Sequence, residues 1–89
     1  MVNIVYKQNK EVIFRQEQDE AILFNPDNSE IVIINSTGCF IWGLCNSKNT
    51  KTEIVTRMIQ EYQVTVKTAE KDIKKYLSDL ESKGFIGRA

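Results

Sequence analysis

Residues able to carry out covalent chemistry are sparse in this chain. It has no histidine and two cysteines, Cys39 and Cys45. Without an imidazole it lacks the commonest general base, the usual zinc ligand and the side chain that titrates near neutrality. On a helix the two cysteines would sit about 9 Å apart along the axis and on different faces, too far for a disulfide. Their spacing matches no zinc or redox motif, so they read as small apolar side chains, buried or half-buried, in a reducing compartment. The chain also has no glycine-rich phosphate loop, no cysteine triad for an iron–sulfur cluster and no nucleophile–base pair. The sequence therefore predicts a protein that is not an enzyme, with no cofactor and no metal site. Polar residues with positional meaning do occur near the C-terminus, where Asp72, Lys75, Tyr76 and Asp79 recur at helical spacing. Asp72 and Lys75 lie beside an apolar stripe, and Tyr76 joins an apolar body to a polar tip. Such a set fits a solvated helix face as well as a binding surface.

With 89 residues, 42% hydrophobic and 27% charged, the chain reads as one small domain spanning 1–89, with its core at about 12–86. Lysine plus arginine balances aspartate plus glutamate, giving a formal net charge of zero. A nucleic-acid partner would call for a basic excess, because phosphate neutralisation supplies most of the affinity. No apolar run approaches the ~20 residues that span a bilayer, and the first residues lack the apolar core and small-residue cleavage site of a signal peptide. The expectation is a cytoplasmic protein without a membrane.

Three strands come first. Val12-Ile13-Phe14 precedes the polar stretch Arg15 to Glu20, and Ala21-Ile22-Leu23-Phe24 follows. Asn25-Pro26-Asp27-Asn28-Ser29 is dense turn chemistry, and Ile31 to Ile34 returns antiparallel as a hairpin. This last strand is four branched aliphatics in a row, apolar on both faces in a chain too small to cover both with its own helices. That imbalance favours a bound partner over catalysis. Helices then take over. Asn35 or Ser36 caps a short one running to about Cys45, with Phe40, Ile41 and Leu44 as its buried stripe and Trp42 as a structural anchor. Asn46 to Asn49 reads as a polar loop. Thr50 and Glu53 form a capping box for a second helix carrying Ile54, Val55, Met58, Ile59 and Tyr62. Thr65 caps a third, whose apolar stripe is Val66, Ala69, Ile73, Tyr76, Leu77 and Leu80. Gly84 stands where that helix would end in a left-handed residue, with Phe85-Ile86 folding back. Three strands followed by three helices on one side of the sheet make an α+β fold.

The ordered set Ile-Leu-Phe-Asn-Pro, Ile-Val-Ile-Ile-Asn-Ser-Thr-Gly-Cys-Phe-Ile-Trp, Thr-Glu-Ile-Val, Ala-Glu-Lys-Asp-Ile and Leu-Ser-Asp-Leu-Glu-Ser-Lys-Gly-Phe-Ile resembles the PqqD-like proteins, the RiPP recognition elements that bind leader peptides in ribosomal peptide biosynthesis. The resemblance runs from about Val12 to Ile86. The family's strand-ending asparagine falls on Asn35, its Ile-Trp pair on Ile41-Trp42, its helix-three aspartate on Asp72, and its terminal leucine and glycine on Leu80 and Gly84. Many members carry an Asp-Gly turn after the first helix, where this chain has Asn46-Ser47.

The resemblance implies a winged-helix-like domain, a peptide chaperone that takes a leader as an added strand against helix three. The edge chemistry of a three-stranded meander points to the same place, since its last strand leaves one row of amides and carbonyls unpaired. The expected peptide-binding residues are Ile31, Val32, Ile33, Ile34, Asp72, Lys75, Tyr76 and Asp79. The implied partners are a precursor peptide and a modifying enzyme, either a radical SAM protein, a leader protease or another tailoring enzyme. Pairing of two copies through the same edge is also open. A DNA-binding regulator is the alternative by fold, but Glu70, Asp72, Asp79 and Glu81 cancel the lysines of the third helix. A structural subunit without peptide affinity is the third reading.

Overall fold

Turn and cap residues set the boundaries of the elements in the computed structural model, which describes residues 4–88. The chain order is β1 (Val5–Gln8), β2 (Ile13–Glu17), β3 (Glu20–Asn25), β4 (Glu30–Ile34), α1 (Ser36–Leu44), β5 (Asn46–Thr50), α2 (Lys51–Tyr62), α3 (Val66–Ser82) and β6 (Ile86–Arg88). The α+β order of a strand meander followed by helices is as the sequence predicts. β2, β3 and β4 form an antiparallel sheet in that order, with Leu23 opposite both Phe14 and Val32, and Ile22 opposite Ile33. A second antiparallel sheet, β5-β1-β6, has no counterpart in the sequence reading. It joins distant segments, since Lys7 faces both Gly87 and Asn46.

The local signals explain the helix ends. Asn35 caps α1, its side-chain oxygen accepting from the Gly38 N–H at 2.9 Å. Thr50 and Glu53 close the capping box on α2 at 3.2 and 2.9 Å. Thr65 caps α3 through the Thr68 N–H. At the far end of α3 the Gly84 N–H reaches the Glu81 carbonyl and the Phe85 N–H reaches that of Leu80, a Schellman closure that places Gly84 at φ 79°.

Several sequence expectations need correction. The first expected strand runs on to Glu17, because Arg15, Gln16 and Glu17 pair with Ile22, Ala21 and Glu20 across a tight turn. Asn46 to Asn49 is not a loop. It belongs to β5, held by a strand from the other end of the chain. Phe85 is fully buried, and Ile86, buried as well, also opens β6, a strand that the sequence reading did not include. Val66 is 55% exposed, so the buried stripe of α3 begins at Ala69, where the helix first meets the rest of the core. In α1 it is Gly38, Ile41 and Trp42 that are buried, while Phe40 and Leu44 are half-buried. Phe40 instead makes an edge contact with Tyr62, their ring centroids 5.5 Å apart. Trp42 is an anchor as expected, stacking on Phe14 at 6.2 Å.

One face of β2-β3-β4 sends Ala21, Leu23 and Ile34 into the core, where β3 and β4 pack against α1. Among the described residues no element lies over its other face. Among the described residues no helix is long and apolar enough to cross a membrane.

Candidate functional site

Among the described residues β4 is an edge strand, paired with β3 on one side. α3 lies beside that edge and runs antiparallel to it, as contacts at its two ends show. Near the end of β4 the Tyr76 hydroxyl donates to Asn35 Oδ1 at 2.7 Å. In the hairpin turn before β4, Asn28 Nδ2 donates to the Lys83 carbonyl at 3.0 Å, and Asn25 Nδ2 donates to the Gly84 carbonyl at 3.1 Å. Helix and strand are thus tied at both ends, and a groove of about 410 Å³ lies between them.

Two close approaches set the shape of this groove. A Cβ at Gly38 would stand 2.8 Å from Ile34 Cβ and 3.0 Å from Tyr76 Cε1, so only glycine lets α1 start this near β4 and α3. A Cβ at Gly84 would meet Asn25 Nδ2 at 2.7 Å. Asn25 is buried with both ends of its amide used, since its Oδ1 also accepts from the Asp27 N–H at 3.0 Å. Three asparagines, Asn9, Asn25 and Asn28, thus converge on the carbonyls after α3, which a helix end leaves without partners.

Seven of the eight residues singled out from the sequence border the groove: Val32, Ile33 and Ile34 on the strand, and Asp72, Lys75, Tyr76 and Asp79 on the helix. Ile31 does not. It shares the uncovered face of the sheet with Ile33 and is 61% exposed, but it lies nearer the start of β4, away from the groove that Ile33 borders. Asn35, Thr37, Leu80 and Lys83 also line the groove and were not among the eight. Asn35, Leu80 and Lys83 occupy positions the sequence explains by capping, core and helix end, so only the fold reveals their second role.

The groove has an apolar floor and a polar rim. Ile34 and Leu80 are buried at its base. Asp72, Lys75, Asp79 and Lys83 alternate in sign along the helical wall. The ion pairs among the described residues are Arg15–Glu17 and Arg88–Glu81, so the four groove charges have no ionic partner. Along the strand wall, β4 offers backbone donors and acceptors in a row. The arrangement suits an extended peptide, whose backbone would pair with β4 and whose side chains would reach the floor and rim.

Away from the groove, Cys45 is fully buried and its thiol donates to the Ile41 carbonyl at 3.4 Å. Burial pushes its pKa up to about 12. Cys39, half-buried, is raised in the same direction for the same reason.

Residues 20–86 match the family described as Coenzyme PQQ synthesis protein D (PqqD). No curated protein sequence matches the chain. Among solved structures, TbiB1 in complex with the TbiA(beta) leader peptide is similar at 26% identity and a TM-score of 0.79, over 90% of this chain and 93% of that one. Lasso peptide synthetase B1 complexed with the leader peptide is similar at 20% identity and 0.79, over 92% and 96%. The heterocyclase TruD shares the fold at 18% identity and 0.68, over 97% of this chain and 12% of that one.

Proposed function

The chain belongs to the PqqD family, and we propose from that premise that it is a leader-peptide-binding module of ribosomal peptide biosynthesis. It captures the leader of a precursor and presents it to the enzyme that modifies the remainder. The observation that carries this is the unpaired edge of β4 facing the tied wall of α3. The leader adds as a further strand on β4. Val32, Ile33, Ile34, Asp72, Lys75, Tyr76 and Asp79 form its site, with Asn35, Thr37, Leu80 and Lys83 completing it. Ile31 takes part from the open face that it shares with Ile33.

Each backbone hydrogen bond contributes only about 1 kcal/mol net, so strand addition supplies register and the apolar floor supplies selectivity. The other edge of the same sheet is a poorer template, because Arg15 and Glu17 form an ion pair on β2. The similar structures named for their leader peptides support the reading. The module itself performs no catalysis. Its partner is a radical SAM protein, a leader protease or another tailoring enzyme, and a second copy could compete for the same edge. Precursors emerge from the ribosome, so this reading places the chain in the cytoplasm. The duplex-DNA alternative gains no support from α3, whose acidic and basic side chains alternate.

Titrating the isotopically labelled protein with the leader encoded beside its own gene tests the proposal. Amide shifts should concentrate on Ile31 to Ile34 and on Asp72 to Lys83. Shifts confined to α2 would overturn the site.

A further inference from the structure

The open face of β2-β3-β4 presents a contiguous group of exposed apolar side chains, a feature that marks interaction surfaces. Ile13, Ile22, Phe24, Ile31 and Ile33 share this face by register, with Ile13 opposite Phe24, Phe24 opposite Ile31, and Ile22 opposite Ile33. Exposure rises from the middle strand toward both edges, with Ile22 on β3 37% exposed, Ile13 on β2 57%, and Ile31 and Ile33 on β4 61% and 62%, so chemistry and not exposure separates the two edges. On β2 the same face carries Arg15 and Glu17 in an ion pair, the kind of charge that discourages strand addition. On β4 its two side chains are both isoleucine.

We infer that the leader is read on both of its faces. One alternate set of its side chains enters the groove toward α3, and the other set lies apolar against Ile31 and Ile33 on the open face. This deepens the leader-binding reading and rests on it. An added strand sits about 4.8 Å from β4, and its same-face side chains come about 5 Å from those of Ile31 and Ile33, within cross-strand contact. Such a strand continues the apolar face that Ile22 and Phe24 begin. Ile13 lies two strands farther off and stays uncovered. The leader class selected is therefore one with a contiguous apolar run, not one whose apolar residues alternate with polar ones. A strand that is polar on its outer face would leave two isoleucines in water beside it.

The test uses fluorescence anisotropy with a fluorescein-labelled synthetic leader from the precursor gene nearest this one. The double variant Ile31→Thr/Ile33→Thr keeps β-branched residues in the strand, and its amide spectrum reports that the sheet is intact. It should bind about fivefold or more weakly, while Ile13→Thr binds like the unmodified protein. Leaders with serine at alternate positions should lose affinity in both registers. Unchanged binding by the double variant, with only one serine register mattering, would overturn the inference. An equal loss at Ile13→Thr would also count against it, because the whole patch would then be responding. If the unmodified protein fails to bind any such leader, the leader-binding reading falls and takes the inference with it.

Discussion

Asn35 Oδ1 accepts from the Gly38 N–H at 2.9 Å and from the Tyr76 hydroxyl at 2.7 Å, so one oxygen joins the end of β4, the start of α1 and the wall of α3. Gly38 makes that junction sterically possible. Gly38→Ala puts a methyl into space already filled by Ile34 and Tyr76, and overpacking of this kind costs about 1–3 kcal/mol. A lower urea midpoint should appear together with weaker leader binding, because Tyr76 is the side chain free to give way and it lines the groove. Cys45 supports a second residue-scale prediction. In the folded chain its pKa is about 12, against ~8.5 for a free thiol in an unfolded chain. The native state holds the proton more tightly, so this contribution is whole below about pH 8.5 and is lost as pH rises toward 12. Tyr6, raised chiefly by burial, acts in the same sense at higher pH. Urea midpoints should therefore hold steady from neutrality to about pH 8.5 and then fall, and Cys45→Ala should flatten the first part of that fall.

At the scale of elements, what could be read from sequence divides by the distance between partners. The β3–β4 hairpin, the capping box of α2 and the close of α3 are local devices, each written within a few residues, and each lies where its signal puts it. β5 is different: Asn-Ser-Lys-Asn-Thr has no apolar period, and it becomes a strand because β1, some forty residues earlier, pairs with it. The same holds for β6, whose three residues match β1 from the far end of the chain. The site divides in the same way. The edge and the helical wall follow from periodicity, but which alternate pair of Ile31 to Ile34 faces α3 depends on register, and the sequence run is silent about register. β5 also carries a strain that tertiary pairing imposes. Ser47 sits at φ 70°, a left-handed conformation that costs a non-glycine residue about 1 kcal/mol. The resemblance places a glycine of many family members at this point. Ser47→Gly should raise stability by about 0.5–1 kcal/mol, a gain of several degrees in Tm for a domain of this size. Leader affinity should not move, because β5 lies outside the groove. A drop in Tm would show that the serine hydroxyl matters more than the backbone strain.

The whole molecule measures 34 × 33 × 18 Å. Its short dimension is about one sheet plus one helix layer, given spacings of about 10 Å between layers. The described helices cover one face of β2-β3-β4 and leave the other open, as they leave the β4 edge open. A domain this small buries a modest core and sits near the margin of stability. A peptide that extends the sheet should therefore have a large relative effect. Ligand that binds only the folded state at 100 times its Kd adds about 2.7 kcal/mol, and each kcal/mol moves Tm by about 4–8 °C in a domain of 60–100 residues. Saturating leader should raise Tm by roughly 10–20 °C, with the rise growing as the logarithm of leader concentration. Calorimetry at several leader concentrations checks both the size and the slope. Strand addition also requires that amides of β4 gain protection from exchange while those of β2 do not. A large thermal shift without new protection on β4 would mean that the peptide binds this thin slab somewhere other than its open edge.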